Sequence, residues 1–147
     1  MVGEGQRRTL PGMTRTPAEA LQALRDAAAD GRLDAFCAEH GIELLTAFGS
    51  ALRDDAEPRD LDLAVRLADD VALVPVVSAL VEWLACDQLD VLDLRRAGVV
   101  ARANALDQCE PLYELGRGDY ARASMAALAM AAETAWIRDL QLDRLAG

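Results

Sequence analysis

Two aspartates, Asp60 and Asp62, stand two residues apart in the run Asp60-Leu-Asp-Leu-Ala-Val-Arg66, and Asp90 sits in a second apolar run, Leu89-Asp-Val-Leu-Asp-Leu94. In an extended chain the first pair projects from one face, its members about 6–7 Å apart. Carboxylates that close repel one another unless cations lie between them. Mg²⁺ takes carboxylate oxygens and keeps phosphate and water as its other ligands. A third carboxylate on a neighbouring strand would complete a two-metal site with ions about 3.5–4 Å apart. Upstream, Gly49-Ser50 directly follows the apolar run Ile42–Phe48. Glycine lets a chain turn sharply against a ligand, and if a helix begins there its free N–H groups and the serine hydroxyl suit phosphate oxygens.

Each feature alone has an ordinary explanation. Asp-x-Asp is common in acidic proteins, and Gly-Ser is normally a turn. Together, and in this order after a buried strand, they are harder to explain by folding alone. Aspartate is a poor strand former, so three of them within apolar strand runs cost stability unless a ligand compensates.

The elements that must hold these residues follow from periodicity. Residues 1–16 are polar and without period, which predicts a disordered leader, with Met1 or Met13 as the start. Thr16, Pro17 and Glu19 form a helix-start signature, and Leu21, Leu24 and Ala28 then recur at helical spacing, continued by Leu33, Phe36 and Cys37 after Gly31. Ile42–Phe48 reads as a buried strand, and Asp60–Arg66 as a second, with Asp60, Asp62 and Ala64 on one face. Residues 71–85 predict a helix capped by Asp69 or Asp70, regular from Leu73 because of Pro75. A third strand at 89–94, a helix near 98–107, a short extended piece at 111–115 and a turn at Gly116-Arg-Gly118 precede a long Ala/Met-rich helix to about 145. The order α-β-β-α-β-α-α implies one mixed α/β domain over 17–147.

Composition removes many alternatives. The 147 residues carry a net charge of −10, and all fifteen basic residues are arginine, which excludes Walker-type, Schiff-base and lysyl-adenylate chemistry. No basic patch stands out, so direct nucleic-acid binding is not expected. His40 is the only histidine, too few for paired-histidine metal sites or an HExxH motif. Cys37, Cys86 and Cys109 are widely spaced and read as small apolar side chains. With no signal peptide and no membrane-length apolar run, a cytoplasmic location is expected. Arg117-Gly-Asp119 reads as a turn and helix cap, and Trp83 and Trp136 as core or interface residues.

Phe48-Gly-Ser-Ala-Leu-Arg53 followed by Asp60-Leu-Asp-Leu-Ala-Val65 resembles the signature of the DNA polymerase β-like nucleotidyltransferase superfamily. Leu89-Asp-Val-Leu-Asp-Leu-Arg-Arg96 and Leu112-Tyr-Glu114 extend the likeness to its small branch, the minimal nucleotidyltransferase (MNT) proteins, over roughly residues 20–120. One departure is visible: nine residues separate Ser50 from Asp60, one fewer than the resemblance leads one to expect. The resemblance implies a small mixed sheet flanked by helices and a long C-terminal helix. It implies that Gly49 and Ser50 hold the β- and γ-phosphates of ATP, with Arg53 beside them. Asp60 and Asp62 would bind two Mg²⁺ ions, and Asp90, chosen over Asp93 because the family places its residue there, would bind the catalytic metal and accept a proton from the attacking hydroxyl.

It further implies an antitoxin that transfers AMP to a tyrosine of a partner HEPN ribonuclease toxin. With only one long helix after the third aspartate, the acceptor is expected to arrive on another protein, and residues 118–147 are a candidate docking element. In that helix Tyr120, Ala123, Ala127, Met130, Ala131, Trp136 and Ile137 are expected mostly to pack on the core. The competing expectations are a non-catalytic antitoxin acting by occlusion, and a small-molecule nucleotidyltransferase resembling those that modify aminoglycosides.

Overall fold

A computed structural model describes residues 14–53 and 57–146. The first helix, α1 (Pro17–Asp30), begins at the predicted signature: the Thr16 hydroxyl accepts from the Glu19 N–H at 3.1 Å, and the Glu19 carboxylate accepts from the Thr16 N–H at 2.9 Å. This capping box satisfies two amides that would otherwise lack partners. Gly31, in the left-handed region, separates α1 from α2 (Arg32–His40), and Gly41 ends α2 in the same conformation. The expected leader falls largely outside the described residues. Of its last residues, Arg15 is bonded through backbone and guanidinium to the Ala85 and Leu84 carbonyls.

Strand β1 (Ile42–Phe48) leads through a single 3₁₀ turn, Gly49–Leu52, towards β2 (Leu61–Leu67). Helix α3 (Leu73–Leu84), β3 (Leu89–Asp93), α4 (Val99–Leu106), β4 (Glu110–Glu114) and α5 (Asp119–Ala146) follow. The sheet order is β3-β2-β1-β4, with β2 and β3 parallel and the other pairs antiparallel. The piece expected at 111–115 is thus a full edge strand. Its sequence, Glu-Pro-Leu-Tyr-Glu, is too short and too polar to show the period that marks a strand.

Helix α3 starts at Leu73 as expected, but neither Asp69 nor Asp70 caps it. The N-cap position falls at Ala72, because a turn from Ala68 to Val71 intervenes and the Asp69 carboxylate is bonded to Arg95. Pro75 costs nothing in the first turn, where amides have no helical partner.

The alternation of β1 and β2 divides the core. Leu45, Ala47, Leu61, Leu63, Val65 and Leu67 pack with α1, α2 and α3 on one face of the sheet. Leu44, Ala64, Leu94, Ala105, Leu106 and Ala127 join α4 and the start of α5 on the other. Thr46 is the one buried polar residue among those described, and its hydroxyl donates to the Ala105 carbonyl. Cys37 and Cys86 are buried and Cys109 half-buried, all as free thiols. Among the described residues no helix is long and apolar enough to cross a membrane.

Candidate functional site

The carboxylates gather at one end of the β2–β3 pair. Asp60 lies in the bend just before β2, where the Leu61 N–H donates to the Gln88 carbonyl at 2.8 Å and starts the parallel ladder. Asp62 and Asp90 are then direct register partners on adjacent parallel strands. Neighbouring strands run about 4.8 Å apart, so the two side chains leave one face at nearly the closest spacing a sheet allows. Asp60, in the bend before the strand, is near enough for its charge to act on Asp62. None of the three carboxylates has a hydrogen bond or ion pair to a described residue, although arginines are plentiful elsewhere in the chain.

Asp93 is placed differently. It pairs with Val65, on the opposite parity, and its carboxylate accepts from the Arg95 N–H at 3.0 Å in the turn after β3. Its backbone carbonyl accepts from Arg96 and Ala97 in the same turn. Geometry therefore brings Asp90, and not Asp93, beside Asp62.

The electrostatics record the crowding. The Asp62 carboxyl is raised above the ordinary carboxylate range, first by burial, then by the negative charge of Asp90, then by that of Asp60. Burial and two like charges all disfavour its ionised form, so the protein holds this side chain at a cost.

The 3₁₀ turn closes the site from the β1 side. Phe48 is the register partner of Asp62, so the turn that follows lies over the Asp62 side chain. Gly49 has φ +81°, and a Cβ built there would overlap the Asp62 Oδ2. Glycine is needed twice over, for its left-handed backbone and for the absence of a side chain. The anticipated helix start is therefore only one 3₁₀ turn, with the Arg53 N–H donating to the Ser50 carbonyl at 3.1 Å. A turn this short brings little helix dipole, and a ligand here would meet individual amides and the Ser50 hydroxyl. That hydroxyl is half-buried, with no hydrogen bond to a described residue, and Arg53 is exposed. Residues 54–56 of the connecting loop lie outside the described residues.

As a donor set, three aspartates offer only hard oxygen ligands, which match Mg²⁺ and no soft metal. Among the described residues no three His, Cys, Asp or Glu side chains form a ready metal cage. The two facts agree for an ion that draws most of its ligands from phosphate and water.

A four-stranded mixed sheet, with a Gly-Ser turn over one aspartate and a second aspartate beside it, is the polymerase β-like nucleotidyltransferase fold. Among solved structures the chain is similar to MNT antitoxins. One is a toxin–antitoxin structure with AMP-PNP (TM-score 0.62, 19% identity, covering 80% of this chain and 98% of that one). Another is an MNT antitoxin in complex with a tri-AMPylated HEPN toxin from Shewanella oneidensis (TM-score 0.59, 20% identity, 80% and 96% covered). A third is a MntA–HepT variant with two aspartates, two positions apart, changed to glutamate (TM-score 0.62, 19% identity, 80% and 98% covered). No family model and no curated protein matches the sequence. At this level of identity the likeness establishes the fold.

Sequence reasoning missed the contact between Gly49 and Asp62. The only signal was a glycine directly after a buried strand. It also overestimated the packing of α5: Ala127 is buried, and Tyr120, Ala123 and Ala131 are half-buried, but Met130, Trp136 and Ile137 are exposed. The body ends near Ala131 while the helix continues. Trp83, by contrast, stacks on Phe36 with ring centroids 4.2 Å apart.

Proposed function

We propose that this chain is a Mg²⁺-dependent, cytoplasmic nucleotidyltransferase antitoxin that moves AMP from ATP to a tyrosine hydroxyl of a HEPN-type toxin. The observation that carries the reading is the Asp62–Asp90 register pair under the Gly49–Ser50 turn. A fold gains nothing from three crowded, unpaired carboxylates, whereas a triphosphate with its counter-ions neutralises them.

In this reading the Gly49 and Ser50 amides and the Ser50 hydroxyl hold the β- and γ-phosphate oxygens, with Arg53 reaching the same group. Asp60, Asp62 and Asp90 would hold the magnesium, which when bound neutralises charge on the phosphates. Asp90, the exposed member of the pair, accepts the proton of the incoming tyrosine hydroxyl as its oxygen attacks the α-phosphorus and pyrophosphate leaves. Asp60 and Asp90 are exposed, which suits a large acceptor. One feature favours a second reading, an antitoxin that only binds and occludes its toxin: the short Ser50–Asp60 connection.

The test is incubation with labelled ATP, Mg²⁺ and a HEPN protein from the same genome, alongside an Asp60→Ala/Asp62→Ala double variant. Label reaching the HEPN protein only with intact aspartates supports transfer. A stable complex that forms equally well with the variant, and carries no label, leaves occlusion.

A further inference from the structure

Of the eleven large apolar side chains exposed among the described residues, eight lie on α5. The helix meets the body through Tyr120, Ser124, Ala127 and Ala131; beyond Ala131 every residue to Ala146 except Ala135 is exposed. At 100° per residue, Met130, Glu133, Trp136, Ile137, Leu140 and Arg144 fall on one arc of about 120°, roughly opposite the packed side. Trp136 is 64% exposed and Met130 50%, an unusual commitment of large apolar surface to solvent.

The charges on this arc indicate what covers it. Glu133 and Arg144 stand eleven residues apart, three helical turns, and so lie on one line about 16 Å apart. Neither forms an ion pair with a described residue. Two α5 helices laid antiparallel about a two-fold axis between Arg138 and Asp139 bring Glu133 of each copy to Arg144 of the other. The same register brings Ile137 to Leu140. A parallel pairing would set Glu133 against Glu133 and Arg144 against Arg144. The pattern is complementary to itself in one orientation only, which an isologous two-fold contact requires.

We propose that this outer face of α5 is a self-association surface, pairing antiparallel with α5 of a second copy of the chain. The inference does not depend on the reading of the carboxylate site. The contact spans about 22 Å of helix from Met130 to Arg144, short for a permanent interface, so the dimer is a reversible one.

Sedimentation equilibrium of the full chain, from about 1 to about 500 µM, tests it. The wild type is expected to rise from monomer to dimer mass. Glu133→Arg and Arg144→Glu are each expected to weaken the dimer about tenfold or more, because each replaces two attractions with two repulsions. Glu133→Arg/Arg144→Glu together restore the pairs in reversed sense and return the dissociation constant to about the wild-type value. A wild type that stays monomeric throughout, as it would if this face served only a different protein, overturns the proposal. So do single variants that associate normally, or a double variant no better than the singles.

Discussion

Replacing Gly49 with alanine adds one methyl group, and the structure separates its cost into two parts. The first is conformational: φ is +81°, and a residue with a Cβ in the left-handed region costs about 1–2 kcal/mol more than glycine. The second is contact with Asp62, whose carboxylate must leave its rotamer, adding about 0.5–1.5 kcal/mol. Gly49→Ala should therefore lose about 2–3 kcal/mol, or roughly 6–9 °C of thermal midpoint for a chain of this size. Gly31 provides the control, since it has φ +90° and nothing within 4 Å of a built Cβ. Gly31→Ala should show the conformational part alone. Introducing Gly49→Ala into an Asp62→Ala background isolates the second part, because the remaining neighbour there is the Asp62 Cβ at an ordinary 3.4 Å. The coupling between the two substitutions should be about 1 kcal/mol. The assay is thermal unfolding without nucleotide or metal. Equal cost of Gly49→Ala in both backgrounds would refute the claim that the turn rests on the carboxylate.

Other outcomes follow from the same geometry. Asp90→Asn should lower AMP transfer by about 10²–10⁴, whereas Asp93→Asn, altering a residue that closes a turn, should leave the rate within a few-fold. Glu110 is held below the usual glutamate range chiefly by its hydrogen bond to Arg25, with 2.9 and 2.7 Å contacts. A lowered folded pKa contributes stability above the unfolded value of about 4.3 that is lost as pH falls through the folded one. Urea unfolding should then show Glu110→Gln weaker than wild type at pH 7, by about 0.2–1 kcal/mol for so exposed a pair, with the difference shrinking as pH falls below the usual glutamate range. Burial pushes the Cys37 thiol up to about 12. Its thiolate fraction at pH 8 is about 10⁻⁴, so Cys37 should resist alkylation until the protein unfolds; rapid native labelling, read by mass spectrometry, would contradict its burial.

Much of this arrangement could be read from the sequence, for identifiable reasons. The capping box at Thr16, the break at Gly31 and the alternation from Asp60 to Arg66 are local signals, and local interactions decide them. The pairing of Asp62 with Asp90 is not local. It depends on the register between two strands, which α3 and the Leu61–Gln88 bond establish through space. Parity alone left Asp90 and Asp93 both open, and only the family likeness chose between them. The cap proposed at Asp69 or Asp70 failed because the turn from Ala68 to Val71 moves the N-cap to Ala72, and Asp69 pairs with the distant Arg95 instead. Strand β4 was legible only as a short extended piece, because its place beside β1 is decided by tertiary pairing, not by its five residues.

Both outer strands of the sheet are short, and each carries a residue hostile to further pairing. Strand β3 presents Asp90 and Asp93, and β4 contains Pro111, which has no N–H to offer a neighbour. Acidic repulsion at one margin and a missing donor at the other discourage a seventh-hour guest strand from zipping onto either side. High protein concentration should therefore produce discrete particles and not fibrils, with growth stopped at the sheet and any contact between copies left to helices.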